Sequence, residues 1–151
     1  MEKSLYRSPI GIIEIVCDKG ALVSLKLADR VGISKKDTTF ISGIKHQLDE
    51  YFSGKRKNFD IRVSPVGTDF QKLVWLELQK IPYGKTKSYS EIAEMVGSKN
   101  AQRAVGSACN KNPIMIIIPC HRVISKNGHM GGFAYGDDIK RELLSIEARA
   151  Y

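Results

Sequence analysis

The sequence predicts an α+β fold, in which a small β-meander with one helix precedes a mainly helical part that contains a helix-turn-helix. Three short runs of alternating or β-branched residues, at 5–6, 10–16 and 21–27, are separated by turn residues and predict an antiparallel meander. Helical periodicity begins only near residue 39. Two capping-box motifs then open helices in the second part of the chain.

The first helix is predicted over residues 39–52, where apolar residues recur every three or four positions and Gly54 follows as a stop. The next stretch, 53–65, contains a basic cluster and then alternating apolar residues, which indicates a linker or a bridging strand. We therefore place a domain boundary near Val63, with an N-terminal domain at 1–63 and a C-terminal domain at 64–151.

The C-terminal domain opens with a capping box formed by Thr68 and Gln71. The helix that follows is predicted to use an apolar face made of Phe70, Leu73, Val74, Leu78 and Ile81. A second capping box, Ser88 with Glu91, starts a short helix, and Asn100 is expected to cap a third over 101–109. These two short helices have a helix-turn-helix outline, which many all-α proteins share without binding DNA.

The remaining segments frame one reactive stretch. Residues 114–118 are wholly apolar and are predicted to be buried, so that they deliver residues 119–123 to their far end. A glycine-rich loop at 127–136 and a helix at about 138–149 complete the chain.

Charge and composition restrict the function classes. The net charge of +8 favours a polyanionic partner, although a protein with a merely high isoelectric point remains an alternative. No apolar stretch approaches the roughly 20 residues of a membrane span, and the first ten residues lack the apolar region of a signal peptide. A cytoplasmic location without membrane association is expected.

Three cysteines are present, and none has a Cys-x-x-Cys spacing, so we expect reduced thiols and no metal site. A free cysteine is usually a small core residue, and Cys17 and Cys109 are interpreted in this way. Cys120 differs because an imidazole and a guanidinium, those of His121 and Arg122, follow it directly. Such neighbours are expected to stabilise the nucleophilic thiolate.

Cys120 lies in the stretch Ile118-Pro119-Cys120-His121-Arg122-Val123, and three further motifs precede it: Ser88-Tyr89, Arg103-Ala104-Val105-Gly106 and Asn112-Pro113. Together these motifs resemble the signature of the O6-alkylguanine-DNA alkyltransferases, also called methylated-DNA–protein-cysteine methyltransferases. The resemblance spans roughly residues 65–149, while the N-terminal third is similar only in its strand-then-helix plan. An RNase H-like fold for that third is implied by the resemblance alone.

The resemblance implies a nucleophile, a base and an orienting group for a reaction that needs no cofactor. Cys120 would attack the alkyl carbon on guanine O6, His121 would act through a water as the base, and Glu147 would orient the imidazole. Without the resemblance, Glu147 would be interpreted as a solvated helix end. The protein would accept the alkyl group irreversibly, once per molecule.

Further roles follow from the same resemblance. Asn112 would brace the turn before the active-site segment, and Pro113 would fix that turn. Tyr89 would donate a hydrogen bond or proton to the leaving guanine, with a packing role at the helix start as the alternative. The lesion pocket would be lined by Pro113, Val123, Phe133, Ala134 and Tyr135. The family pattern usually has glycine where this chain has Tyr135, so we expect the pocket to accept methyl better than benzyl adducts.

The implied partner is double-stranded DNA that carries O6-alkylguanine, with O4-alkylthymine as a further candidate lesion. A monomer without an obligate protein partner is expected. The damaged nucleotide would be flipped out of the stack, with Arg103 inserted in its place. The resemblance assigns backbone contacts to Ser90, Ser98 and Lys126. Nearby basic residues would attract phosphates, or would simply be solvated: Lys85, Lys87, Lys99 and Lys111.

Three alternatives stay open at this point. A non-enzymatic lesion-binding protein of the same fold would lack the cysteine, so Cys120 argues against it. A cysteine hydrolase would leave Arg103 and Tyr89 without a role and has no separate oxyanion-hole motif. A plain helix-turn-helix regulator would leave the apolar run into Cys120 without a purpose.

Overall fold

The computed structural model describes residues 1–29, 36–98, 100–126 and 133–149. The chain begins with a three-stranded antiparallel sheet in the order β1 (Glu2–Ser8), β2 (Gly11–Asp18) and β3 (Ala21–Leu27). This confirms the predicted meander. The strand β1 is longer than the predicted 5–6, because its backbone pairs with β2 along its whole length although its first side chains are polar.

Helix α1 (Thr39–Phe52) has the predicted bounds. Thr38 caps it by accepting a hydrogen bond from the amide of Ile41 at 3.3 Å. Its apolar face is buried and consists of Ile41, Ile44, Leu48 and Tyr51. This face places one aromatic hydroxyl inside the core, close to the C-terminal helix.

Strand β3 connects the sheet to the rest of the molecule. Leu22 donates to the carbonyl of Arg62 at 2.9 Å and accepts from the amide of Ser64 at 2.8 Å. Further along the strand, Leu25 donates to the carbonyl of Pro113 at 2.8 Å and accepts from the amide of Met115 at 3.0 Å. The segment that leads to Cys120 is therefore hydrogen-bonded to the N-terminal sheet.

Three helices form the next layer: α2 (Asp69–Leu78), α3 (Tyr89–Met95) and α4 (Gln102–Asn110). Both predicted capping boxes are present, at Thr68 and Ser88. Helices α3 and α4 pack against each other in the helix-turn-helix order, and α2 packs against α4. The indole N–H of Trp75 fixes the latter contact by donating to the carbonyl of Ala108 at 2.8 Å.

Two details of these helices differ from prediction. The N-cap of α4 is Ala101, which makes no side-chain cap hydrogen bond, so the expected cap at Asn100 is wrong. Leu73 is 42% exposed and does not belong to the buried face of α2, where the buried residues are Val74, Trp75 and Leu78. Trp75, which the sequence pattern did not assign to this face, is buried instead.

The reactive stretch forms a 3₁₀ turn, Cys120–Arg122, followed by β5 (Val123–Ile124). Strand β5 pairs in parallel with β4 (Lys87–Ser88), a pairing that periodicity could not show because each strand has only two residues. It brings the start of α3 beside the residues after Cys120. Helix α5 (Asp137–Arg149) ends the fold. None of the described helices meets the length and apolarity needed to span a membrane.

Candidate active site

Cys120 lies at the start of the 3₁₀ turn and is only 5% exposed. The turn before it is held by Asn112, whose side-chain amide donates to the carbonyl of Ile118 at 2.7 Å and accepts from the amide of Ile114 at 2.9 Å. The same segment contains Ile116 at φ 72°, a conformation that a β-branched residue rarely adopts. The Asn112 hydrogen bonds therefore brace a strained turn on which the thiol sits.

His121 and Glu147 form a fully buried pair, with Nε2 of the imidazole 2.6 Å from Oε2 of the carboxylate. An ionised carboxylate can only accept, so Nε2 carries the proton and Nδ1 of the neutral ring is the basic nitrogen. Nδ1 is buried and has no hydrogen-bond partner among the described residues. The pair thus presents one free basic nitrogen in the protein interior.

The protonation states suit that arrangement. Burial lowers the pKa of His121, against the opposing effect of Glu147, so the ring is neutral at pH 7. For Glu147, burial disfavours ionisation, but the hydrogen bonds and charges of His121 and Arg122 outweigh it and lower the pKa to about 2. The carboxylate is therefore ionised and its neighbouring imidazole is a base.

Arg122 does not act on Cys120 as the sequence suggested. Its guanidinium is bound to Glu147, with Nε 2.8 Å from Oε1 and Nη2 3.1 Å from Oε2, and Nη1 donates to the carbonyl of Ile81 at 2.8 Å. The guanidinium charge compensates the buried carboxylate instead of a thiolate. The expectation that Arg122 stabilises a Cys120 thiolate is wrong, since chain neighbours in a tight turn point in different directions.

Among the described residues, the cation whose charge acts on Cys120 is Lys140, from α5. Its side chain is fully buried, its Nζ donates to the carbonyl of Val123 at 2.5 Å, and it lies 5.9 Å from the ring centroid of Tyr89. Burial lowers the pKa of Lys140, and charge on Cys120 opposes that lowering. Burial raises the pKa of Cys120, while a hydrogen bond from Asn112 and the charge of Lys140 oppose that rise. The resting residue is consequently a thiol, which must lose its proton before it can attack.

Two groups from outside the reactive stretch also reach Glu147. The hydroxyl of Tyr51, on α1, donates to Oε2 at 2.7 Å, and the amide of Gly84 donates to Oε1 at 3.3 Å. The ring of Tyr83 lies edge-on to Tyr51 at 6.2 Å and beneath the Arg122 guanidinium at 5.7 Å. The carboxylate is therefore surrounded by donors from both halves of the chain.

Tyr89 and the predicted pocket residues differ in how far their side chains are exposed to solvent. Tyr89, Phe133 and Tyr135 are half-buried, with the last two rings edge to face at 5.7 Å. Burial, together with charge on Cys109 and Cys120, raises the pKa of Tyr89 to about 12, so its hydroxyl stays protonated. The other predicted pocket residues are Pro113, which is half-buried, Val123, which is buried, and Ala134, which is exposed. Most of the predicted loop, 127–132, lies outside the described residues.

The residues predicted to contact DNA lie on or beside the helix-turn-helix. Arg103 is exposed in the first turn of α4, and Ser98 is exposed before that helix. Ser90 is half-buried, with its hydroxyl 3.0 Å from that of Ser88, and Lys126 is exposed after β5. Of the additional basic residues, Lys85 and Lys111 are exposed, Lys87 is half-buried and 3.6 Å from Glu91, and Lys99 lies outside the described residues.

Lys140 and Tyr51 were not among the sequence predictions. A signal existed for Lys140, because it shares one helical stripe with Leu143 and Glu147, and a charged residue on the apolar stripe of a helix indicates a special role. No such signal existed for Tyr51, which occupies an ordinary apolar position of α1. Within the described residues, no cluster of three or more His, Cys, Asp or Glu side chains is arranged to hold a metal ion.

The fold and the site define a protein in which a helix-turn-helix is joined to a cysteine supported by a buried His–Glu–Arg network. A family profile described as "6-O-methylguanine DNA methyltransferase, DNA binding domain" matches residues 69–149, and one described as the "ribonuclease-like domain" of the same proteins matches residues 1–65. The chain belongs to the 6-O-methylguanine DNA methyltransferase family. The predicted family and fold class, including the ribonuclease-like N-terminal part, are confirmed.

Individual relatives agree along nearly the whole chain. A Methanosarcina acetivorans protein named methylated-DNA–protein-cysteine methyltransferase is 44% identical over 153 residues, covering 97% of this chain and 98% of the relative. The crystal structure of the Mycobacterium tuberculosis O6-methylguanine methyltransferase superimposes with a TM-score of 0.90 at 39% identity, over 99% of this chain and 94% of that one. A structure from the same organism in complex with DNA gives a TM-score of 0.91, with the same identity and coverage.

Proposed function

We propose that this chain repairs O6-alkylguanine in duplex DNA by transferring the alkyl group to its own Cys120. The observation that carries the proposal is the position of the Cys120 thiol at the start of a braced turn whose next residue, His121, is held by Glu147 with one basic nitrogen free. A nucleophile next to an oriented base is the arrangement that nucleophilic catalysis requires.

The reaction is a displacement at carbon. The proton of the Cys120 thiol passes through a water to Nδ1 of His121, and Lys140 stabilises the thiolate as it forms. The sulfur then forms a bond to the alkyl carbon while the bond from that carbon to guanine O6 breaks, and the electron pair stays on the base. Tyr89, whose hydroxyl remains protonated, donates a hydrogen bond to the departing guanine anion. The anion then takes up one proton from water, and His121 releases to water the proton that it took from Cys120. The products are an S-alkylcysteine and an unmodified guanine.

The thioether that forms has no bond that water can readily break, so each molecule repairs one lesion. The burial of Cys120 also supports extrusion of the target base, since a thiol that is 5% exposed cannot reach O6 inside a stacked duplex. Duplex DNA is the proposed partner, in line with the DNA complex of the related Mycobacterium tuberculosis protein. O4-alkylthymine, which presents a similar alkoxy group, is a second proposed substrate.

The site of transfer is tested with two matched cysteine variants and intact-protein mass spectrometry. After incubation with duplex DNA that carries O6-methylguanine, the wild type and Cys109→Ala should gain one methyl group, and Cys120→Ala should gain none. Cys109 is the right control because it is also buried and lies close enough for a charge on Cys120 to raise its pKa. Methylation of Cys120→Ala, or none of the wild type, would contradict the proposal.

Base extrusion is tested at Arg103. The exposed side chain of Arg103 is proposed to fill the stack, so Arg103→Ala should weaken the fluorescence rise of a 2-aminopurine placed next to the lesion, without lowering the melting temperature. The control, Arg62→Ala, removes an exposed arginine from the N-terminal part. Equal fluorescence changes in both variants would contradict the role of Arg103.

A further inference from the structure

The N-terminal part of the chain contributes one side chain to the buried network behind Cys120. Tyr51 lies on α1, is fully buried, and its hydroxyl donates to Oε2 of Glu147 at 2.7 Å, across 96 positions of sequence. Burial, followed by the charge of Glu147, raises the pKa of Tyr51 far above its ordinary value. The hydroxyl therefore keeps its proton near neutral pH and is a donor there.

Tyr51 and His121 share one acceptor atom. Oε2 of Glu147 accepts from Tyr51 at 2.7 Å, from Nε2 of His121 at 2.6 Å and from Nη2 of Arg122 at 3.1 Å. Each donor to an anion withdraws charge from it and reduces its proton affinity. Among the described residues, the charged and titratable groups that also act on this pair include Tyr83, next to Tyr51, and Arg122 and Lys140, whose charges lower the pKa of His121.

We propose that Tyr51 is a positioning residue for alkyl transfer, whose hydroxyl sets how strongly Glu147 holds the proton of His121 and thereby keeps the imidazole available as a base. The inference rests on the proposed function of Cys120. It also gives the N-terminal part a task in the chemistry, since that part is hydrogen-bonded to the Cys120 segment through Leu25 as well.

Removal of the Tyr51 hydroxyl is expected to raise the pKa of His121. In Tyr51→Phe the carboxylate loses a donor, so it stabilises the imidazolium form of His121 more strongly and the pKa of His121 rises. An imidazolium cannot accept the thiol proton. The acid limb of the transfer rate therefore moves to higher pH, while at a pH well above that limb the base is free in both proteins.

The experiment compares Tyr51→Phe with Tyr6→Phe. Both substitutions remove a hydroxyl of the N-terminal part that donates to a carboxylate. Tyr51 donates to Glu147 of the network at 2.7 Å, whereas Tyr6 donates to Asp49, a carboxylate of α1, at 2.6 Å. Single-turnover transfer from saturating O6-methylguanine duplex is measured from about pH 5 to about pH 9, around the ordinary pKa of histidine. DNA binding and thermal melting are recorded for each protein.

We expect Tyr51→Phe to be slower than the wild type by about threefold or more on the acid limb, which corresponds to a shift of about half a pKa unit, and to converge with it at high pH. Tyr6→Phe should follow the wild-type curve at every pH. A Tyr51→Phe rate that is unchanged, or reduced by one constant factor at all pH values, would overturn the inference, since a constant factor indicates only a structural defect.

A second measurement needs no variant. In ¹⁵N-labelled wild-type protein, the hydroxyl proton of Tyr51 should exchange slowly and show a nuclear Overhauser effect to the Nε2 proton of His121, because both donate to one oxygen. A rapidly exchanging hydroxyl without that contact would overturn the inference. If instead the wild type fails to methylate Cys120, the proposed function fails, which the same mass spectra distinguish from a failure confined to Tyr51.

Discussion

Nε2 of His121 lies 2.6 Å from Oε2 of Glu147, and neither side chain is exposed to solvent. The carboxylate fixes the tautomer, so the basic nitrogen is Nδ1. The hydrogen bonds from His121 and from Arg122, with the charge of Arg122, keep the carboxylate ionised. The three side chains of His121, Glu147 and Arg122 thus hold a base in the interior without a net charge among themselves. The chemistry proposed for Cys120 requires both the tautomer that Glu147 imposes on His121 and the charge compensation by Arg122.

Replacement of Glu147 by glutamine tests the network as a unit. Glu147→Gln leaves the Arg122 guanidinium buried without its counter-ion, and breaking a buried pair in this way costs about 3–5 kcal/mol of unfolding free energy. Transfer to Cys120 should fall as well, because the amide no longer imposes one tautomer on His121. Urea unfolding and single-turnover transfer measure the two effects.

The unfolding free energy that Glu147 contributes should decrease as the pH falls. The pKa of Glu147 is about 2 in the folded protein against an ordinary value of 4.5, so its contribution is complete above that ordinary value and is lost as pH falls through the folded pKa. The gap between wild type and Glu147→Gln should therefore be constant near neutral pH and shrink toward about pH 2. A gap as large at about pH 2 as at neutral pH would contradict an ionised, charge-paired Glu147.

Lys140 is predicted to assist formation of the thiolate. Lys140→Met removes the charge that opposes the burial of Cys120, so the thiol pKa should rise further and transfer at pH 7 should slow by about tenfold for each pKa unit. Raising the pH should restore part of the rate. Lys80→Met is the control, since Lys80 is an exposed lysine paired with Glu77 at 2.9 Å. The same loss at every pH would show that Lys140 only supports the fold.

The size of the alkyl group that the protein accepts from guanine O6 is predicted to depend on Tyr135. Its half-buried ring packs edge to face on Phe133, and we expect this pair of rings to narrow the proposed lesion pocket. Tyr135→Gly should raise the rate of inactivation by free O6-benzylguanine more than the rate of methyl transfer from DNA. If the wild type already reacts with benzyl and methyl substrates at comparable rates, Tyr135 does not restrict the pocket.

The sequence predicted the fold where local chemistry decides it. Capping boxes at Thr68 and Ser88 and the periodicity of α1 gave helix starts and faces that the structure confirms. The cap at Asn100 failed because α4 begins at Gln102, one residue later than predicted, so that Ala101 is the N-cap residue. The two-residue pairing of β4 with β5 is too short for any periodic signal.

The site was less predictable because it depends on long-range packing. Adjacency in sequence suggested that Arg122 acts on Cys120, whereas the turn directs the guanidinium to Glu147. The charge that opposes the raised pKa of Cys120 comes from Lys140 on α5. Tyr51 looks like any apolar position of α1, and only the tertiary structure shows its hydroxyl on Oε2. The roles of the site residues, and the domain boundary near Val63, stay predictions.

Gly67 is predicted to be required for the contact between α2 and α4. A methyl group added at Gly67 would lie 2.4 Å from the indole of Trp75, whose N–H holds the carbonyl of Ala108. Gly67→Ala should therefore displace the indole and cost about 1–3 kcal/mol of unfolding free energy, as overpacked substitutions do. Thermal unfolding checks it, with Gly43→Ala as the control, because nothing lies near the added methyl group there. Equal stability of Gly67→Ala and wild type would contradict the packing assigned to Trp75.

The most direct test of the central claim is the stoichiometry and position of transfer from duplex DNA that carries labelled O6-methylguanine. Trypsin separates Cys120, in the peptide 112–122, from Cys109, in the peptide 104–111, so the label can be assigned to one thiol. With DNA in excess, we predict that the label saturates at one methyl group per protein and is confined to Cys120. Label that exceeds one per protein, or that appears in another peptide, would contradict a single irreversible transfer to Cys120.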